Sequence, residues 1–130
     1  MTTLPQPDSI RHVLVVEDEP LIRWCTAEMI EEAGYAIVEA ADADAAMRIL
    51  EARNDIDCIF TDVDMPGSMD GLALAHTAHD RWPPIGIIVT SGKRRLSREQ
   101  LPCGGRFLAK PYLTSDVVGM LAAMVPCGTA

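Results

Sequence analysis

Positive charge is in short supply in this chain. Eleven Lys and Arg stand against nineteen Asp and Glu, a formal net charge of −8 over 130 residues. Nucleic-acid binding draws on clustered cations that neutralise phosphates, so this balance argues against it. It makes an anionic membrane surface an equally poor partner. One basic run, Lys93-Arg94-Arg95, reads as a solvated loop rather than a nucleic-acid patch. Cysteine is limited to Cys25, Cys58, Cys103 and Cys127, with no C-x-x-C pair, which disfavours a zinc site. Cys25 and Cys58 fall within apolar patterns and read as small core residues. No apolar run approaches the ~20 residues of a membrane-spanning helix. Nor does a basic segment followed by an apolar stretch mark an export signal. These absences predict a reduced, soluble, cytoplasmic domain.

What is present is apolar residue, 48% of the chain, too much for a disordered acidic tail. The length suits one domain with an ordinary core. Residues 1–10, with two prolines and a Thr pair, read as a disordered lead-in; residues 11–126 form the domain, and 127–130 a tail. Within the domain, compact apolar runs alternate with amphipathic segments. His12 to Val16 is a continuous β-branched run, as a strand buried on both faces requires. Pro20 sits where a helix can begin, and Ile22, Cys25, Met29 and Ala33 then form one face, with Gly34 ending it. Further strands are expected at 36–40, 57–62, 85–90 and 106–109. Asp42 caps a helix that buries Ala45, Ala46, Ile49 and Leu50. A third helix runs over 71–81, stopped by Trp82-Pro83-Pro84. Thr114 or Ser115 caps the last helix, which uses Val117, Val118, Leu121 and Met124.

Strands alternating with helices predict an α/β fold, a (βα)5 doubly wound parallel sheet with right-handed crossovers and helices on both faces. In such sheets the functional site lies beyond the carboxyl ends of the strands. Strand one ends in Glu17-Asp18, strand three in Asp62, strand four in Thr90-Ser91 and strand five in Lys110-Pro111. Three carboxylates, a hydroxyl and an ammonium therefore converge on one edge. Clustered carboxylates repel unless a cation joins them. Hard oxygens with no His or Cys suit Mg²⁺, and the loop Asp62-Val63-Asp64-Met65-Pro66 offers a main-chain carbonyl. A carboxylate beside Mg²⁺, a Lys and a hydroxyl is equipped to accept a phosphoryl group.

The stretches VLVVEDEP, FTDVDMPGSMDG, IIVTSG and FLAKPY stand in this order, each at a strand end. Together they resemble the receiver domain of two-component response regulators, over residues 12 to about 125. The resemblance implies a flavodoxin-like strand order 2-1-3-4-5 and Asp62 as phosphoacceptor. Asp18 would bind Mg²⁺ directly, Glu17 through water, and Asp64 by its backbone carbonyl; Mn²⁺ could substitute for Mg²⁺. Lys110 would pair with the phosphoryl oxygens, with a cis bond before Pro111. Thr90, with Ser91 beside it, would supply the switch hydroxyl, and Phe107 the rotating aromatic. The implied donor is a sensor histidine kinase or a histidine phosphotransfer protein, and the implied output is protein–protein contact with an unspecified downstream protein. A monomer or weak homodimer is expected, with the output passing through another protein.

Three departures stand against the family pattern. Glu17 replaces the commoner Asp. The loop Met65-Pro66-Gly67-Ser68-Met69-Asp70-Gly71 is one residue longer than usual. Where a fourth helix should run the chain reads KRRLSREQLPCGG, which predicts one or two helical turns at best in a mobile segment. His76 and His79 on the third helix read as solvent-facing rather than as metal ligands. Two other functions compete. Asp62-Val63-Asp64 also looks like the nucleophile motif of haloacid-dehalogenase-type phosphatases, but Asp116 is the sole acid after Lys110, where those enzymes place a further acidic motif. The third reading is a receiver fold that binds partners without phosphorylation. The intact Asp62, Thr90 and Lys110 argue against it. The expected role is a signalling phosphoacceptor rather than an enzyme, one that at most assists its own phosphorylation and dephosphorylation.

Overall fold

The computed structural model describes residues 10–125. The expected lead-in, except for the exposed Ile10, and the expected tail with Cys127 lie outside the described residues. Five strands, β1 (His12–Val16), β2 (Ala36–Ala40), β3 (Ile56–Asp62), β4 (Gly86–Ser91) and β5 (Arg106–Ala109), form one parallel sheet in the order β2-β1-β3-β4-β5. Four helices, α1 (Pro20–Glu32), α2 (Ala43–Ala52), α3 (Gly71–Arg81) and α4 (Thr114–Met124), complete the doubly wound fold. Between β4 and β5 stands only a 3-10 turn at Arg98–Gln100, within the one or two turns expected there.

The period-2 alternation of each strand divides the core into two layers. Leu14, Val16, Ile59, Val63, Ile87 and Val89 pack with α2 and α3. Val13, Val15, Cys58, Phe60 and Ile88 pack with Ile30 of α1 and Val117 and Leu121 of α4. Burying each large side chain contributes about 1.5–3 kcal/mol, so the two layers, not helix propensity, hold the helices in place. The segment without a helix is covered differently: Leu96 and Leu101 drop into the first layer beside Phe107.

Helix starts follow local chemistry. Asp42 Oδ1 accepts from Ala45 N at 2.8 Å and Asp70 Oδ1 from Ala73 N at 2.8 Å, caps worth about 1 kcal/mol each. Glu19 caps α1 ahead of Pro20. At its far end Gly34 adopts φ 106°, the left-handed turn that glycine allows without strain.

Two local expectations are corrected. The cap of α4 is Leu113, not Thr114 or Ser115, because Asp116 reaches back to bond Leu113 N at 3.1 Å. The buried residues of α1 are Thr26, Ala27 and Ile30, while Ile22 and Cys25 are exposed. This helix carries apolar residues on two faces, and spacing alone does not say which one meets the sheet. Cys25 is therefore not a core residue, whereas Cys58 is fully buried, and burial pushes its thiol up to about 12.

Candidate functional site

The carboxyl edge of the sheet gathers its side chains through strand register. Asp62 pairs with Thr90 across β3 and β4, and register partners in a sheet share a face. Both belong to the row of Cys58 and Phe60 or of Ile88, the α1/α4 side. Glu17 follows β1 and continues its ladder by donating its N–H to Ala40 O at 3.1 Å. Arg23 secures the turn after β1 from α1, donating from Nη1 to Glu17 O at 2.8 Å and pairing with Glu39 at 3.2 Å. Asp18 stands exposed at the rim, while Glu17, Asp62 and Thr90 are buried.

Carboxylate oxygens of Glu17, Asp18 and Asp62 lie within 4.8 Å of one another. Lys110 Nζ donates to Glu17 Oε1 at 2.9 Å and stands 3.3 Å from Asp62 Oδ1. Burial raises the Glu17 carboxyl above its ordinary 4.5, against the hydrogen bond from Lys110 and with added repulsion from Asp62. Burial likewise raises Asp62 above 3.8; Lys110 opposes the rise and the charge of Asp64 adds to it. For Lys110 burial works downward, but its bonds to the two carboxylates prevail and hold it above 10.5. One ammonium thus leaves three close carboxylates under-compensated. Hard oxygen donors in that state fit a divalent cation such as Mg²⁺.

The remaining expected residues are distributed around this centre. The Lys110–Pro111 peptide bond is cis. Phe107 pairs with Val89 and packs, partly buried, on the opposite face of the sheet from Asp62. Ser91 also belongs to that opposite face, one residue beyond Thr90, and donates its hydroxyl to Asp64 Oδ2 at 2.7 Å. Asp64 points its carboxylate toward the loop after β4, where Arg94 Nε stands 3.5 Å from Oδ1. His76 is exposed, its Nε2 2.7 Å from Gln100 O, and His79 is half-buried; neither joins a metal-ligating cluster among the described residues. Asp116 is engaged in capping α4.

Sequence reasoning missed two participants. Tyr112 lies two residues past Lys110, its hydroxyl 2.8 Å from that of Thr26 and its ring edge-on to Phe60 at 5.7 Å. Burial is the main reason its phenol is raised above 10.0. Tyr112 and Lys110 line a groove of about 580 Å³ with Leu21, Ile22, Cys25 and Met29. The signal was the second apolar stripe of α1, which the expected burial of Ile22 and Cys25 concealed. The other is Arg94, hidden within a basic run that looked merely solvated.

Comparison with known proteins agrees with this geometry. The family model described as the response regulator receiver domain matches residues 13–122. The transcriptional regulatory protein PdtaR of Mycobacterium tuberculosis is 38% identical over 111 residues, 83% of this chain and 53% of its own length. The chain thus spans about half the length of that curated relative, and less of others such as the CAI-1 autoinducer sensor kinase/phosphatase CqsS of Vibrio cholerae, of which it covers 17%. Among solved structures, the receiver domain of the hybrid histidine kinase CckA superposes with TM-score 0.75 at 30% identity, covering 88% of this chain and 98% of that one.

Proposed function

The chain belongs to the response regulator receiver domain family, and on that premise we propose that Asp62 accepts a phosphoryl group from a histidine kinase or histidine phosphotransfer protein and that the added charge alters protein contacts. Receiver domains are signalling phosphoacceptors, and they bind Mg²⁺ at an acidic pocket. The observation that carries the reading is the triad of close carboxylates with Lys110 bonded across Glu17 and Asp62.

In the transfer, an Asp62 carboxylate oxygen forms a bond to phosphorus as the phosphorus–nitrogen bond of a donor phosphohistidine breaks. The electron pair returns to the imidazole, and the product is an aspartyl phosphate. Glu17, Asp18 and Asp62 would hold Mg²⁺ with the Asp64 carbonyl, and Mg²⁺ there would offset charge on the transferring oxygens. Lys110 leaves its pairing with Asp62 to bond a phosphoryl oxygen, keeping its hold on Glu17. Thr90, next to Asp62 on the same face, donates its hydroxyl to another oxygen. Phosphorylation adds roughly 1.5–2 negative charges at this edge, enough to redistribute the pairings around it.

The apolar groove is lined by Lys110, whose ammonium stands 3.3 Å from Asp62 Oδ1, and this nearness to the acceptor supports it as the docking surface for the donor. Leu21, 66% exposed at its rim, supplies contact area without charge. Incubation with acetyl phosphate and Mg²⁺ should add one phosphoryl group by intact mass, and Asp62→Asn should take up none. An unchanged mass in the wild type, or equal uptake by the variant, overturns the proposal.

A further inference from the structure

One buried polar link ties α1 to the segment after β5. Thr26, on the face of α1 that meets the sheet, is 3% exposed, and its hydroxyl stands 2.8 Å from that of Tyr112. Either hydroxyl can donate, and among the described residues this is the only hydrogen bond that either side chain makes. The Tyr112 ring is held on another side by Phe60, edge-on with centroids 5.7 Å apart. Packing alone needs only the ring, which a Phe would supply. A threonine is likewise a poor choice for a helix face set among Val13, Val15 and Ile30, unless its hydroxyl has a use. Two residues before Tyr112 stands Lys110, joined to it through Pro111, whose ring fixes one backbone angle of the connection. Lys110 N donates to Ser91 O at 3.0 Å, and its stem passes over Gly92, where an added Cβ would stand 3.5 Å from Lys110 Cβ.

Resting on the reading of Asp62 as phosphoacceptor, we propose that Thr26 and Tyr112 are positioning residues for Lys110. Their hydroxyl pair locks residues 110–112 against α1, so that the ammonium is aimed at Asp62 before the donor arrives. Lysine carries its charge on a flexible four-carbon stem, so its aim depends on how firmly the backbone beneath it is held. Here the ammonium must stand 2.9 Å from Glu17 Oε1 and 3.3 Å from Asp62 Oδ1, and a small misplacement of such a group costs rate steeply. Arg23 secures the other side of the same edge, donating from α1 to Glu17 O at 2.8 Å. Helix α1 therefore grips the acceptor edge at two points, Glu17 through Arg23 and Lys110 through Thr26 and Tyr112. The second grip acts on the rate of transfer, beyond what one hydrogen bond adds to the stability of the fold.

The test follows phosphoryl uptake from acetyl phosphate by intact mass against time, over a range of Mg²⁺ concentrations. This donor has no docking face, so contacts with a protein donor do not enter. An Asp62 oxygen bonds to phosphorus as the phosphorus–oxygen bond to acetate breaks, and acetate leaves with the electron pair. Tyr112→Phe and Thr26→Val should each slow uptake about five-fold, the scale of one neutral hydrogen bond. The Mg²⁺ concentration giving half the maximal rate should not move, because Glu17, Asp18 and Asp62 stay in place. Thr26→Ser keeps a hydroxyl and should retain most of the rate. Combining Tyr112→Phe with Thr26→Val separates positioning from packing. With both partners apolar no buried hydroxyl is left unpaired, so the urea midpoint should return toward the wild type while uptake stays about five-fold slow. A rate that recovers along with stability overturns the proposal, because the bond would then serve the fold alone. A matching loss of Mg²⁺ affinity overturns it too, since the whole edge would then have loosened. Variants as fast as an active wild type overturn this inference and leave the acceptor reading standing. A wild type that takes up no phosphate overturns both.

Discussion

Lys110 holds its charge between two carboxylates that burial would rather keep protonated, and that conflict has a sign that can be measured. Glu17 and Asp62 are raised in the folded chain above their ordinary 4.5 and 3.8, chiefly by burial. Between those ordinary values and the raised ones the folded state binds more protons than the unfolded state, so stability falls as pH rises through that window. Lys110 behaves oppositely in origin: it is raised above 10.5, so its stabilising share is complete below that value and lost as pH climbs past the folded one. Asp62→Asn removes one of these two ionisations. In metal-free solution its melting temperature should gain on the wild type as pH rises from about 4 to about 7. Mg²⁺ should raise the wild-type melting temperature more at the upper end of that range, since the ion competes with protons for the same oxygens. A constant gap between the two proteins would contradict the charge assignment.

At the scale of the element, α3 is seated directly on the acceptor strand. A Cβ at Gly71 would stand 1.7 Å from the carbonyl oxygen of Asp62, and Gly71 N donates to Val63 O at 3.0 Å. Only hydrogen in place of a side chain lets the first turn of this helix approach so closely. Gly71→Ala must therefore lift α3 off the end of β3. It should cost about 1–3 kcal/mol by urea unfolding and slow phosphoryl uptake at Asp62 as well. Normal uptake at reduced stability would separate the helix seat from the site. The glycine was legible in the sequence only as part of a motif, because its reason is a contact between residues brought together by packing. The fourth-helix segment was more legible. Pro102, Gly104 and Gly105 and the scarcity of apolar residues limited it to a single turn. That Leu96 and Leu101 would nevertheless fill the first core layer depended on the sheet beneath them.

For the whole molecule, the order β2-β1-β3-β4-β5 puts β1 and β3 inside the sheet, with helices over both faces. Val13 to Val16 and Cys58 to Thr61 are almost wholly buried, so their amides open only when most of the fold does. Hydrogen exchange should be slowest there and fastest over residues 92–105, where one short turn supplies the helical bonding. Comparable protection in the two regions would contradict this division. β1 runs directly into Glu17 and β3 ends at Asp62, so the most stable part of the chain is the part that presents these carboxylates.

The sequence by itself determined the alternation of elements, the edge on which the chemistry gathers, and the residues that stand there. Those features follow from local periodicity and from strand ends, which neighbours in the chain encode. The tertiary structure decided the rest. It turned the Ile22 and Cys25 stripe outward beside Lys110 and brought Arg94 back over Asp64. Each of these depends on which of two plausible faces meets the sheet, or on a pairing between loops far apart in sequence. Helical spacing is the same for a buried stripe and an exposed one, and only the packing of the whole distinguishes them.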